Sequence, residues 1–256
     1  MKIDFHSHVK ISKKSMFMPD YFAEMMEEAS KSGLTALAMT EHFNTKRFMD
    51  IYDYIDGKYT YENGYYVVGD IRVFPGIEVD VKEVGHILLI GDRNDILEIR
   101  SALEPYTDPA NFIEFDQLMD FAAEYNILKI GAHPFRKGTP LTHLLPEQLR
   151  RLDALDLNGK DLYAQGVEPY YTQLIDFAKE LGLPIVGGSD THQFLQYSAV
   201  FNQFEQVCST VGELKTAIRN GNYQVEIADN LMIKVKAAAL VKKYMKKLLE
   251  DQTAVR

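Results

Sequence analysis

Six of the seven histidines in this chain fall within or just after short apolar runs, with carboxylates close by. In Ile3-Asp4-Phe5-His6-Ser7-His8 two imidazoles occupy alternate residues, so an extended backbone points both toward one ion. Met39-Thr40-Glu41-His42, Gly76-Ile77-Glu78, Gly85-His86 and Gly131-Ala132-His133-Pro134 flank further apolar runs; taken singly, such a histidine is more often a hydrogen-bonded structural residue and Glu78 a solvated or salt-bridged carboxylate, and it is their co-occurrence that points to chemistry. Gly187-Gly188-Ser189-Asp190-Thr191-His192 repeats the alternate-residue device with a carboxylate and an imidazole, behind two glycines that permit close backbone approach. Imidazoles and carboxylates together suit zinc, and manganese and iron tolerate the same donors, so the residue types point to a metal centre without fixing the element. His143 has no motif around it and reads as structural.

Such residues need a scaffold that brings distant segments to one rim. Strand-like runs are read at 3–5, 34–39, 73–81, 86–90, 127–132, 166–168 and 184–188. Helical patterns are read from Pro19 to a stop at Gly33, and at 115–125, 172–181 and 211–219. Repeated alternation implies parallel strands joined by helical crossovers, and a barrel presents strand-end histidines on a single rim. Residues 52–66, rich in tyrosine, glycine and aspartate, are expected to form a loop or small hairpin placed to cover a site. Glu168, after one of the strand-like runs, is read either as a partner that orients a metal-bound histidine or as a structural residue. The stretch 231–249 has helical apolar spacing with Lys234, Lys236, Lys242, Lys243, Lys246 and Lys247. It is expected to be an amphipathic helix packed on the barrel, with a membrane surface or an anionic ligand as the alternative contact for its lysines. One domain is expected, with a core over about 1–228 and the terminal helix over about 229–250.

A 46% hydrophobic and 25% charged composition is that of an ordinary globular protein and excludes disordered and collagen-like classes. The net charge of −9 argues against extended duplex nucleic acid as a partner. No run reaches about 18 apolar residues, so no membrane span is expected, and the opening Met1–His6 stretch does not read as a signal peptide. The single cysteine, Cys208, forms no internal disulfide and reads as a small buried residue, which fits a reducing cytoplasm. Phosphate-loop and dinucleotide glycine motifs are absent, as are paired cysteines.

In order, His-x-His, Thr-Glu-His, Gly-Ile-Glu, His, Ala-His-Pro and Ser-Asp-x-His resemble the PHP (polymerase and histidinol phosphatase) superfamily over Ile3 to His192, and 211–219 followed by Gly221 resembles the end of that domain. The resemblance implies a distorted (β/α)₇ barrel and two or three divalent ions, zinc, manganese or iron. By it, His6, His8, Glu78 and Asp190 hold one ion, Glu78 bridges to a second held by His86 and His133, and His42 and His192 serve a third. Relatives often draw a further ligand from the loop after the first histidine pair, where this chain has Ser12-Lys13-Lys14. A protonated lysine cannot ligate, so Lys13 is read instead either as a cation for substrate phosphate or as a side chain pointing to solvent, and the third ion as weakly held. Arg136 is read as the guanidinium that forks two phosphate oxygens, with a surface ion pair as its alternative; Arg47 is a second candidate for that task although a plain surface role suits it better, and Arg136, Asp190 and His192 are read as the catalytic set.

The implied activity is hydrolysis of a small phosphomonoester, such as histidinol phosphate or a nucleotide-like ester, by a hydroxide that bridges the ions. The same resemblance admits phosphotyrosine phosphatases and oligonucleotide exonucleases. A metal-bound regulatory module without turnover, and a metal-dependent hydrolase of non-phosphate bonds, complete the alternatives.

Overall fold

The computed structural model describes residues 1–254, with side chains through Leu249. In chain order its strands and helices are β1 (Lys2–Ser7), α1 (Pro19–Lys31), β2 (Ala36–His42), α2 (Met49–Lys58), β3 (Thr60–Glu62), β4 (Tyr65–Val68), β5 (Ile71–Val81), β6 (Gly85–Ile90), α3 (Arg93–Ala102), α4 (Phe115–Ala122), β7 (Leu128–Gly131), α5 (Pro146–Leu149), β8 (Ala154–Asn158), α6 (Gly159–Gln165), α7 (Val167–Leu181), β9 (Ile185–Gly188), β10 (Val200–Phe204), α8 (Val211–Asn220), β11 (Tyr223–Ile227) and α9 (Leu231–Ala254). No helix among the described residues is long and apolar enough to cross a membrane.

The strands follow the order β11-β10-β1-β2-β5-β6-β7-β8-β9. Beyond the end of β9 the chain returns to β1: the Asp190 N–H donates to the His6 carbonyl at 2.7 Å, and the His8 N–H donates to the Thr191 carbonyl at 2.9 Å. The path β1-β2-β5-β6-β7-β8-β9 thereby becomes a nearly closed, distorted (β/α)₇ barrel, and β10 and β11 extend it antiparallel from β1. Asn202 of β10 fastens the junction. Its Nδ2 donates to the carbonyls of Ile3 (3.0 Å) and Gly187 (2.8 Å), and its Oδ1 accepts the Gly187 N–H at 2.8 Å.

The two faces of these strands differ. Leu37, Met39, Val73, Ile77, Leu89, Leu155 and Leu157 join the helices in one large core. Ile3, Phe5, Ala36, Ala38, Phe74, Leu88, Ile90, Leu128, Ile130, Ala154 and Val186 form a second cluster with Val211, Leu214 and Ile218 of α8. That second face is the barrel interior, and moving two residues at a time along it toward the rim replaces apolar side chains with polar ones: Thr40 and His42, Glu78 and Asp80, Asp156 and Asn158. In β1 the register against β2 shifts between Asp4 and Ser7, a bulge that turns His6 and His8 inward where a regular strand carrying Ile3 and Phe5 inside would aim them out.

Several expectations are corrected. The barrel is not uniformly parallel, because β6 runs antiparallel to both β5 and β7; His86 reaches the rim from the beginning of an inverted strand. Residues 166–168 are not a strand: Gly166, at φ 92°, opens α7, whose first turn accommodates Pro169, and the missing strand is β8. The 52–66 segment forms the end of α2 and the β3–β4 hairpin. Its strand β4 pairs with Ile71–Val73, at the end of β5 opposite Glu78, so the hairpin does not cover the rim.

Replacing Asn202 with alanine takes partners from three buried backbone groups, at about 1–3 kcal/mol each when left unpaired. We expect Asn202→Ala to lower unfolding stability by at least about 2 kcal/mol, read in urea as a lower midpoint at unchanged slope. An unchanged midpoint would refute the role given to this clamp.

Candidate metal centre

The rim residues converge on Glu78. This buried carboxylate has five imidazoles around it: His86 Nδ1 at 2.6 Å, His42 Nδ1 at 2.7 Å, His133 Nε2 at 3.3 Å, and His6 Nε2 and His8 Nε2 both at 3.5 Å. His8 Nε2 also lies 3.4 Å from Asp190 Oδ1, and the rings of His8 and His192 stack with centroids 4.1 Å apart. Three groups have ligand atoms within 4.8 Å of one another: His6, His8 and Asp190; Glu78, His86 and His133; and His8, His42 and His192. All eight residues predicted as ligands are therefore brought together.

The donor set fits divalent ions. His6 Nε2, both nitrogens of His8 and Glu78 Oε2 are buried, close to one another, and make no well-formed hydrogen bond. Buried polar atoms are ordinarily paired, so a convergence of unpaired ones is what an ion-sized position requires. Electrostatics agree. Burial pushes the Glu78 carboxyl up, but the charges of His42, His86 and His6 prevail and hold it well below the usual carboxylate range. Burial likewise raises Asp190, and Lys160, Arg136 and His6 more than reverse it. Conversely, burial depresses His6 while Asp190 and Glu78 lift it well above an ordinary imidazole, and the same contest, with Glu78 and Asp80 opposing burial, leaves His86 at about 9. His133, lowered to about 3 by burial and Arg136, and His192, lowered by burial and His8, are held neutral, the form that ligates. The two carboxylates thus draw positive charge into a place where several imidazoles cannot carry it.

Outer contacts fix the rings. His6 Nδ1 donates to Asp156 Oδ2 at 2.9 Å, and Asn158 Nδ2 donates to the same oxygen at 2.9 Å, leaving His6 Nε2 toward Glu78. His192 Nδ1 donates to the Lys10 carbonyl at 2.7 Å. A Cβ on Gly188 would lie 2.5 Å from His6 Cβ and 2.7 Å from Asp156 Oδ1, so only glycine lets β9 pass this close. His133 and Asp190 have positive φ, 33° and 55°, uncommon for side-chain-bearing residues and concentrated at constrained sites.

Among the predicted substrate residues, Arg136 stands at the centre: its Nη2 lies 2.8 Å from Asp190 Oδ2 and donates to Asp161 Oδ2 at 2.5 Å and Asn158 Oδ1 at 2.9 Å. Lys13 is paired away from the ligands, its Nζ 2.7 Å from Asp80 Oδ2, while Asp80 Oδ1 meets His86 Nε2 at 2.9 Å. Arg47 is exposed and pairs with Asp50 at 2.8 Å, outside the cluster. Glu168 is exposed, and Asp156 does the orienting expected of it; His143 is exposed and apart. Sequence reasoning misses Asp156, Asp80 and Lys160, whose Nζ donates to Asp190 Oδ1 at 2.6 Å. The alternation in Ala154-Leu155-Asp156-Leu157-Asn158 is the available signal for the first.

Comparison with solved structures gives the same fold at low identity. PsfC from Pseudomonas syringae PB-5123 superposes with a TM-score of 0.79 at 19% identity, covering 95% of this chain and 98% of its own. The lesion-specific endonuclease PfuEndoQ from Pyrococcus furiosus gives 0.63 at 18%, covering 88% of this chain, which spans 58% of that longer protein. An amidohydrolase from Chromobacterium violaceum gives 0.52 at 14%, covering 89% and 98%. No curated protein sequence matches. The model of the PHP domain family matches residues 4–250, essentially the whole barrel with α9, and the chain belongs to that family of metal-dependent hydrolases.

Proposed function

We propose that the protein is a phosphoesterase that hydrolyses a small phosphomonoester with two or three divalent ions, zinc, manganese or iron. The observation that carries this reading is the convergence of three ligand groups around Glu78, with Arg136 and Lys160 against the two oxygens of Asp190. His6, His8 and Asp190 would hold one ion, His86 and His133 a second with Glu78 between, and His42 and His192 a third together with His8. When bound, such ions neutralise phosphoryl oxygens as Lewis acids and lower the pKa of water.

The chain's own residues do the rest. Asp156 and the Lys10 carbonyl hold His6 and His192 in the ring orientations that face inward. Arg136, braced by Asp161 and Asn158, offers a planar guanidinium at the rim, and Lys160 adds a point charge on the other side of Asp190. Both would meet a phosphoryl group as its charge builds. Lys13 is given a different task from the one its position suggests: with Asp80 it buttresses His86. An acidic chain and a cavity of 480 Å³ beside His192 favour a small ester over a polymer.

Elemental analysis of protein purified without chelator should find at least two ions per chain, and His8→Ala and Asp190→Ala should each lose metal together with activity. Asp156→Asn should weaken metal affinity by about 10–100-fold, the usual cost of removing an outer partner of a ligating histidine. One ion or fewer in active parent protein would overturn the multinuclear reading. A hydrolysis screen should span histidinol phosphate, nucleoside monophosphates, a phosphotyrosine peptide and short oligonucleotides, with each metal supplied separately. One phosphomonoester should dominate; cleavage of oligonucleotides alone, or of no phosphoester at all, would refute the assignment.

A further inference from the structure

Helix α9 is fastened to the barrel along one seam. Leu231, Val235 and Ala238 are buried at helical spacing, and Met245 and Leu249 continue the same line onto the core. Gln193 Nε2 donates to Met245 Sδ at 3.3 Å, and Lys234 Nζ donates to the Tyr197 carbonyl at 2.6 Å. At the position between Ala238 and Met245, where the pattern asks for an apolar residue, stands Lys242, half-buried. Its side chain lines a cavity of 480 Å³ shared with Lys160, His192, Gln193, Gln196 and Lys246. Lys243 and Lys247 border the same cavity, and among the described residues none of these four helix lysines makes an ion pair or hydrogen bond.

That arrangement costs stability. Burial, and then the like charge of Lys160, push the Lys242 ammonium down to about 7, with Asp190 opposing. A lysine in a helix seam gains nothing from packing that leucine or methionine would not give, and gathering four helix lysines that, among the described residues, have no ion-pair partner is repulsive unless an anion enters. One wall of this cavity is His192, a member of the ligand cluster, and another is Lys160, which touches Asp190. The cavity thus adjoins the proposed reaction centre through His192 and Lys160.

We propose that the space beneath α9 binds a second anionic group of the substrate through Lys242 and Lys246, so that the preferred substrate is a small molecule bearing one phosphoryl ester and a further carboxylate or phosphate. The identity of the first group rests on the phosphoesterase reading above; the second site stands on the lysines themselves. A volume of this size takes a small metabolite.

The test measures binding and turnover on metal-loaded, full-length protein with matched ligands: glycerol 3-phosphate against 3-phosphoglycerate, and ribose 5-phosphate against ribose 1,5-bisphosphate. By calorimetry the doubly anionic member of at least one pair should bind the parent at least about tenfold more tightly, a difference of ~1.4 kcal/mol. Which pair shows it separates carboxylate from phosphate. In Lys242→Met, which keeps the stem and the seam packing, that preference should collapse toward one, and Lys242→Arg should restore it. In turnover the loss should fall on KM more than on kcat. Equal affinity within both pairs in the parent, or a preference untouched in Lys242→Met and in a Lys242→Met/Lys246→Met double variant, overturns the proposal. Hydrolysis of the esters without such a preference leaves the phosphoesterase reading standing and removes the second site; a preference in binding without hydrolysis of any ester does the reverse.

Discussion

A carboxylate withdrawn from water is costly unless charge comes with it, and the barrel is organised around one such group. Glu78 sits at the inner end of β5, buried, with five imidazoles packed about it, and a second buried carboxylate, Asp190, faces it across His8. Imidazoles alone answer this poorly, since burial and their mutual repulsion drive several of them neutral. Divalent ions answer it well. The ligand set, its outer partners and the flanking cations Arg136 and Lys160 all follow from satisfying those two carboxylates at the mouth of a closed sheet.

Closure is what makes the cluster possible. The histidines come from β1 and the residue that follows it, from β2 and β6, and from the segments after β7 and β9, so they meet only if β1 and β9 meet. Asn202, the bridge from Ser7 to Thr191, and the bare backbone of Gly188 against His6 secure that junction. The β1 bulge then decides which way His6 and His8 point. Fold and chemistry share these residues, so damage at the junction should be felt first as loss of metal and only then as loss of structure.

Much of the centre is legible in the amino-acid sequence, because each ligand lies in a short motif within or beside an apolar strand-like run. What escapes is carried by contacts distant along the chain or by disguised turns. Asp156 sits 150 residues from its partner His6, on a strand whose Asp and Asn are poor strand formers. The inverted strand β6 is hidden because Val84, at φ 65°, occupies a turn position where glycine or asparagine would announce a hairpin. Pro169 suggests the end of an extended run and in fact lies in the first turn of α7. Lys13 and Lys160 cannot be ranked from sequence, since one finds Asp80 and the other Asp190 only after folding.

If Glu78 holds ions on both sides, the ions themselves can be located. Crystals grown with manganese or zinc, measured at the absorption edge of the element, reveal them by anomalous scattering. At least two anomalous peaks are expected to flank the Glu78 carboxylate, one toward His6, His8 and Asp190 and one toward His86 and His133. A single peak remote from Glu78, or none in catalytically active crystals, would contradict a shared carboxylate at the heart of the barrel.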